Sequence, residues 1–269
     1  MTNSNGLCSD IEVDKHEKIR SLVSKDDIKA GLKKLGLKSG DTVGVHSSLR
    51  SFGCVEGGAD AVIDALTETV GEQGNIVMST HSANLSEDKR TPEMIAMGVS
   101  WLCKILPYDP DTTPVRTGRV PETFRKRRGV IRGSDPSNSI AALGPKASEL
   151  SEGWHKVLES NAYVLLIGVG LEVCTAMHLA EKRVQFPDHI LKKITPPKWF
   201  REKFPDDGWE SDFGPYPDFA KLTKPCLESG IMKTVKVGDA TLKLVELKKL
   251  IELYVKYLEK DPDLFYHTS

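Results

Sequence analysis

The sequence predicts an α/β fold, layered as α/β/α around a central mixed, largely parallel sheet. Three observations predict it. Short apolar runs of strand length alternate with amphipathic segments of helix length along most of the chain. Capping and turn residues fall where one period gives way to the other. No internal repeat and no linker-like stretch divides the 269 residues, so one domain is expected over residues 16–269, with 1–15 as a flexible lead.

The elements follow in order. SKDDIKAGLKKLG has Ser24 as a cap, acids in its first turn, apolar residues at helical spacing and a closing Gly36, which together predict a helix. GDTVGVHSS then reads as a turn and a buried strand, ADAVIDALTETVG as a second helix, and GNIVMSTHS as a second buried strand. Residues 82–115 are polar and proline-bearing and are expected to be mostly loop. PETFRKR is a short helix with Pro121 placed in its first turn. SIAALGPKASEL, YVLLIGVG and TAMHLAEKR give a strand, a strand and a helix, with Thr175 expected to cap the last. Residues 186–219 lack periodicity. VKVGDATLKLV is strand-like, and ELKKLIELYVKYLEK is an amphipathic terminal helix.

Composition excludes several functions. A formal net charge of −1 argues against a dedicated binder of nucleic acid or of an anionic membrane. No apolar run reaches the roughly 18 residues of a membrane span, and the first thirty residues lack a signal-like apolar region. The five cysteines (Cys8, Cys54, Cys103, Cys174, Cys226) are dispersed, which predicts reduced thiols and a cytoplasmic location. There is no H-E-x-x-H and no histidine pair at i, i+4, so no metal site is predicted.

Polar residues cluster where three strands end. One ends in His46, Ser47 and Ser48, a second in Ser79, Thr80 and His81, and a third runs on to Cys174, Thr175 and His178. Ligands of open α/β sheets bind beyond the carboxyl ends of strands, so these ends predict a shared crevice. His178 stands near the start of a helix, where the helix dipole favours the neutral imidazole that a general base requires. A carboxylate would have to support its developing charge, with Glu181 one turn on, or Glu210 or Asp212 from the later loop, as candidates. Cys174 with His178 as its base is a second arrangement, that of a nucleophilic acyl hydrolase or transferase.

Two further stretches are biased. Between Arg116 and Arg132 lie seven Arg or Lys, flanked by Thr117, Ser134, Ser137, Asn138 and Ser139, a composition suited to phosphate oxygens. With no G-x-x-x-x-G-K-[ST] present, a small phosphate-bearing carrier such as coenzyme A is expected. Residues 204–219 hold five acids and no Lys or Arg, with Trp209, Tyr216 and three Phe among them. Such a wall would suit a cationic ring-bearing ligand, through Trp209 for stacking and Glu210 and Asp212 for ammonium groups.

The segments VHSSLRSFGCVEGGADAVIDAL, GNIVMST, PVRTGRVPETFRKRRGVIRGSDPSNSIAALG, VLLIGVGLEVCTAMHLAE and VKVGDATLKLV, in this order over roughly residues 25–255, resemble the aminoglycoside 3-N-acetyltransferase family. The resemblance implies acetyl transfer from acetyl-CoA to the 3-amino group of an aminoglycoside-type aminocyclitol, and thereby antibiotic resistance. It implies His178 as the catalytic base; a direct transfer with Glu181 or Asp212 in support is the mechanism expected with it. It implies coenzyme contacts from Ser47, Ser48, Leu49, Thr117, Arg125, Arg132 and Ser139; beside these, His46 and Ser134 are expected at the coenzyme, and Thr80, Asp135, Trp209, Glu210 and Asp212 at the acceptor. Asp135 stands where the family usually has His, and a G-x-x-S-P element usual before the YVLLIGVG strand is missing. A catalytically silent coenzyme-A-binding protein is the reading those departures would favour.

Overall fold

The computed structural model describes residues 22–82 and 86–266. The expected lead at 1–15, and Cys8 within it, lie outside the described residues. The strands are β1 Leu22–Val23, β2 Thr42–Ser47, β3 Cys54–Val55, β4 Asn75–Ser79, β5 Val99–Lys104, β6 Ile131–Arg132, β7 Ile140–Leu143, β8 Tyr163–Ile167, β9 Trp209–Phe213, β10 Met232–Val237 and β11 Ala240–Glu246. Seven of them form the central sheet in the order β10-β11-β8-β2-β4-β7-β6. Strands β8, β2 and β4 run parallel, and every other pairing in that sheet is antiparallel. The sheet is therefore mixed, as expected. Its parallel share is confined to the three middle strands, because β10 and β11 are joined as a hairpin and β7 returns antiparallel on β4.

Helices cover both faces. Along β8, Val164 and Leu166 enter one core cluster while Leu165 and Ile167 enter the other, the period of two expected of a strand buried on both sides. Helices Lys25–Leu35 and Gly58–Val70 lie on one face. The first has the capping box that its sequence predicts, with Ser24 and Asp27 bonding reciprocally, and it ends on Gly36 at φ 101°. On the other face, helix Leu247–Lys260 buries Leu247, Leu250, Ile251, Tyr254 and Leu258. Among the described residues no helix is long and apolar enough to cross a membrane.

Gly44 in β2 shows how tightly this second face is packed. A Cβ there would lie 2.6 Å from Cζ3 of Trp154, whose ring also stacks on His46, two residues further on the same face, at a centroid distance of 5.5 Å. Gly44→Ala is expected to destabilise the protein by about 1–3 kcal/mol through overpacking. A thermal or urea unfolding midpoint equal to that of the native protein would mean that Trp154 moves aside freely.

Several expectations need correction. Residues 82–115 contain helix Pro92–Ala96 and strand β5, which pairs with β9 as a separate antiparallel ribbon. A register shift between Val99 and Trp101 breaks the alternation that would have disclosed β5. Residues 186–219 hold helices Asp188–Ile194 and Lys198–Lys203 as well as β9. VKVGDATLKLV bridges two strands of one hairpin, turning at Gly238 with φ 54°. Thr175 does not cap a helix: it opens a 3₁₀ turn and bonds through its hydroxyl to Ser79 Oγ at 3.0 Å, while the α-helix starts at His178. Cys103, Cys174 and Cys226 are free thiols, but Cys54 is disulfide-bonded, against the expectation of reduced cysteines throughout.

Candidate active site

Because β8, β2 and β4 are parallel, their carboxyl ends share one edge of the sheet, and a cavity of about 310 Å³ opens there. Its walls come from all three strand ends, with His46 and Ser47 closing β2, Ser79 closing β4 and His81 just beyond it, and Val169, Glu172, Val173, Thr175 and His178 after β8. The crevice expected from three polar strand ends therefore exists. Thr117 and Pro121 close it from the central segment, and Phe219 from the later one.

His178 faces this cavity. Its Nδ1 lies 3.1 Å from Oε2 of Glu181, three residues on along the short helix His178–Glu181. A ring nitrogen that donates its proton to a carboxylate leaves the other nitrogen with a free lone pair, so a pairing of this kind is one that can serve a proton acceptor. Phe219 packs edge-on against the ring at 5.0 Å and fixes its plane. Asp212, the alternative support, lies in β9 and hydrogen-bonds Tyr216, so Glu181 alone of the expected carboxylates meets His178.

Two more histidines line the cavity. Burial, reinforced by His81, lowers His46 to about 4, so it is a neutral ring at physiological pH. His46 Nε2 and Ser47 Oγ are buried without a hydrogen-bond partner, which leaves polar groups at the end of β2 with unmet bonding capacity. His81 is also lowered, by burial, with Asp135 acting in the opposite sense. Sequence reasoning places His81 at its strand end but assigns it no role. Phe219 carries no local signal, since only tertiary packing brings it to His178.

The basic stretch is mostly committed to the protein itself. Arg132 is 8% exposed, and its guanidinium donates to the carbonyls of Pro110, Thr113 and Thr80 at 3.2, 2.6 and 2.7 Å. Arg125 forms a two-pronged pair with Glu122 at 2.7 and 2.8 Å and donates to the Asp111 carbonyl. Burial alone would raise Glu122, but Arg125, Lys126 and the Val115 N–H hold its carboxyl down to about 2. Ser139 and Thr80 are buried and bonded to each other. Arg132, Arg125, Ser139 and Thr80, expected as ligand contacts, here tie loops of the protein together. Ser48 and Leu49 continue past the cavity into a 3₁₀ turn, and Ser134 is exposed outside it. Of the expected coenzyme residues, His46, Ser47 and Thr117 reach the cavity.

The acidic segment divides by strand periodicity. In β9, Trp209 and Phe213 turn to a satellite core with Phe200 and Phe204, and Trp209 meets Phe204 edge-on at 4.9 Å. Trp209, expected as a stacking platform, is partly buried and packs on this cluster. Glu210 and Asp212 fall on the opposite face of the strand. Burial raises Glu210, a Ser137 contact lowers it, and Asp212 and Asp135 raise it further. Glu210, Asp212 and Asp135 thus form one negative cluster, and Asp135 connects it to His81 on the cavity wall. Asp135 itself accepts the N–H groups of Ser137 and Asn138 at 2.8 and 3.1 Å.

Cys174 is fully buried, and burial pushes its thiol up to about 12. A thiol so placed does not supply the thiolate that nucleophilic catalysis needs, so the cysteine arrangement is set aside.

Comparison with known proteins gives the class. The family model described as aminoglycoside 3-N-acetyltransferase matches residues 45–259. The SPbeta prophage-derived aminoglycoside N(3')-acetyltransferase-like protein YokD of Bacillus subtilis (strain 168) is 31% identical over 254 residues, covering 87% of this chain and 92% of its own. A solved variant of aminoglycoside acetyltransferase AAC(3)-IVa in complex with a gentamicin superposes with a TM-score of 0.74 at 25% identity, over 94% of each chain. AAC-IIIb in a binary complex with CoASH superposes with a TM-score of 0.69 at 25% identity, over 93% of this chain and 100% of that one. The protein is thus an enzyme of the acyltransferase class. It belongs to the aminoglycoside 3-N-acetyltransferase family.

Proposed function

We propose that this enzyme transfers acetyl from acetyl-CoA directly to the 3-amino group of an aminoglycoside, with His178 as general base, and so confers resistance to such antibiotics. The observation that carries the reading is the His178–Glu181 pair on a cavity built at the carboxyl edge of three parallel strands. The acceptor nitrogen attacks the thioester carbonyl, the C–N bond forms, and the proton leaves nitrogen for the free ring nitrogen of His178. The C–S bond then breaks, and the coenzyme thiolate is protonated on leaving. The unpartnered Ser47 hydroxyl and neutral His46 are groups of the right kind to meet the carbonyl oxygen as its charge grows. That relatives were solved with CoASH and with a gentamicin supports both substrate classes. A cytoplasmic location follows from the use of acetyl-CoA. The ordered base and carboxylate argue against a catalytically silent coenzyme binder.

The acceptor would lie between the cavity and the cluster of Glu210, Asp212 and Asp135, where carboxylates meet ammonium groups. Release of free coenzyme thiol from acetyl-CoA in the presence of an aminoglycoside panel tests the reaction. Glu210→Gln with Asp212→Asn is expected to raise KM for a polycationic acceptor about tenfold, as charge-assisted hydrogen bonds are lost. The KM for acetyl-CoA should stay unchanged, and added salt should weaken acceptor binding in the native protein more than in the variant. Unchanged acceptor KM in the double variant removes these acids from the site. Absence of turnover across the panel, with a neutral amine accepted instead, overturns the aminoglycoside reading.

A further inference from the structure

Glu181 has a second oxygen that the His178 contact does not use. Oε2 meets Nδ1 of His178, while Oε1 is buried with no hydrogen-bond partner. A buried carboxylate oxygen left bare is costly, so its surroundings need a donor.

Two tyrosines from separate parts of the chain belong to the core cluster packed against the short helix His178–Glu181. Tyr254, on helix Leu247–Lys260, is fully buried, and its hydroxyl is likewise unpartnered by strict geometry. Tyr266, in the tail beyond that helix, is 2% exposed. Helix Leu247–Lys260 packs directly on helix His178–Glu181. Both phenols are held in the protonated form by burial first; Tyr266 and then Glu181 add to this at Tyr254, and Glu181 adds to it at Tyr266, where Tyr254 acts in the opposite sense. Glu181 Oε1 and the Tyr254 hydroxyl are thus both buried and without a partner on two helices that pack together, each lacking what the other offers.

The positions of both phenols are fixed independently of Glu181. The Tyr254 ring meets Phe219 edge-on at 5.4 Å and Phe265 at 4.9 Å, and Phe219 is the ring that packs on His178. Tyr266 meets Phe186 edge-on at 5.4 Å. The tail is tied down by the Asp218 N–H to the Phe265 carbonyl at 3.0 Å and by Lys221 Nζ to the Leu264 carbonyl at 2.6 Å. The terminal helix and tail therefore reach the catalytic pair from behind, on the side away from the cavity.

We propose that Tyr254 and Tyr266 are positioning residues, whose hydroxyls hold the Glu181 carboxylate so that its other oxygen keeps the Nδ1 proton of His178. The inference rests on the reading of His178 as the base. Through this arrangement the terminal helix and tail, far in sequence from the strand ends, set the tautomer of the reacting imidazole.

Tyr254→Phe and Tyr266→Phe test this, since each keeps the ring and its edge contacts and removes only the hydroxyl. Each is expected to lower kcat about tenfold, the worth of one hydrogen bond to a charged group, with both KM values and the unfolding midpoint near native. Added to Glu181→Gln, neither change should lower kcat further, because the tyrosines act only through the carboxylate. Nitrogen NMR of His178 without substrate should show the Nδ1–H tautomer dominant in the native protein and depleted in the double tyrosine variant. Native kcat in both single variants, undiminished losses on top of Glu181→Gln, or an unchanged tautomer population overturns the proposal. His178→Ala separates the two readings. Full activity in that variant sinks the base assignment, whereas an inactive His178→Ala beside fully active tyrosine variants sinks only the positioning role.

Discussion

His178→Ala is expected to lower kcat by about 10²- to 10⁴-fold, the usual worth of a positioned general base, while KM for acetyl-CoA and the unfolding midpoint stay close to native. The side chain is 42% exposed, so its removal opens the cavity wall without emptying the core. Its ring is held by Glu181 on Nδ1 and by Phe219 on its edge, and Phe219 keeps its packing on Tyr254 when the imidazole is gone. Loss of activity should therefore be separable from loss of fold. Single-turnover measurement with saturating acetyl-CoA and acceptor isolates the chemical step from product release. A variant with native kcat would remove His178 from proton transfer and shift attention to His81, the other half-buried histidine on the cavity wall.

The strand-end histidine and its carboxylate are legible in the sequence because both lie within four residues of one another on a single short segment. A helix places i and i+3 on one face, so local spacing alone predicts that Glu181 can reach His178. The crevice is legible for a similar reason, since parallel strands with polar residues after their last apolar position must present those residues along one edge. What stays hidden depends on partners distant in sequence. Nothing local shows that Phe219, Tyr254 and Tyr266 join the core cluster that packs against residues 178–181. The β5–β9 ribbon is obscured by its register shift, and without that ribbon the faces of Trp209 and Glu210 cannot be told apart. The internal bonding of the basic stretch stays hidden for a different reason. Composition counts charges but not what they are bonded to, and Arg125 has an acid three residues before it whose role only the fold reveals.

That difference has its largest consequence at Arg132. Read as a coenzyme contact, its replacement should weaken coenzyme binding and leave stability alone. The structure predicts the reverse. The guanidinium bridges two loops by donating to Pro110 and Thr113 on one and Thr80 on the other, and it lies over the Tyr108 ring at 5.1 Å. Burial lowers its pKa, yet an arginine keeps its charge over any ordinary pH, so the three carbonyls face a permanent cation. On its removal the Thr80 carbonyl still accepts from Ser139 at 2.6 Å, whereas those of Pro110 and Thr113 lose the guanidinium as donor. Two under-bonded carbonyls and an emptied slot beside Tyr108 place the cost of Arg132→Ala at about 3 kcal/mol, or roughly 6–12 °C in Tm for a chain of this size. Arg132→Lys should recover only part of that, because one ammonium cannot span both loops as the planar fork does. Coenzyme affinity, measured by calorimetry below the unfolding transition, should match that of the native protein in both variants. A stable Arg132→Ala with weakened coenzyme binding would instead return the residue to the ligand, and would require the loop carbonyls to find other donors when the coenzyme is bound.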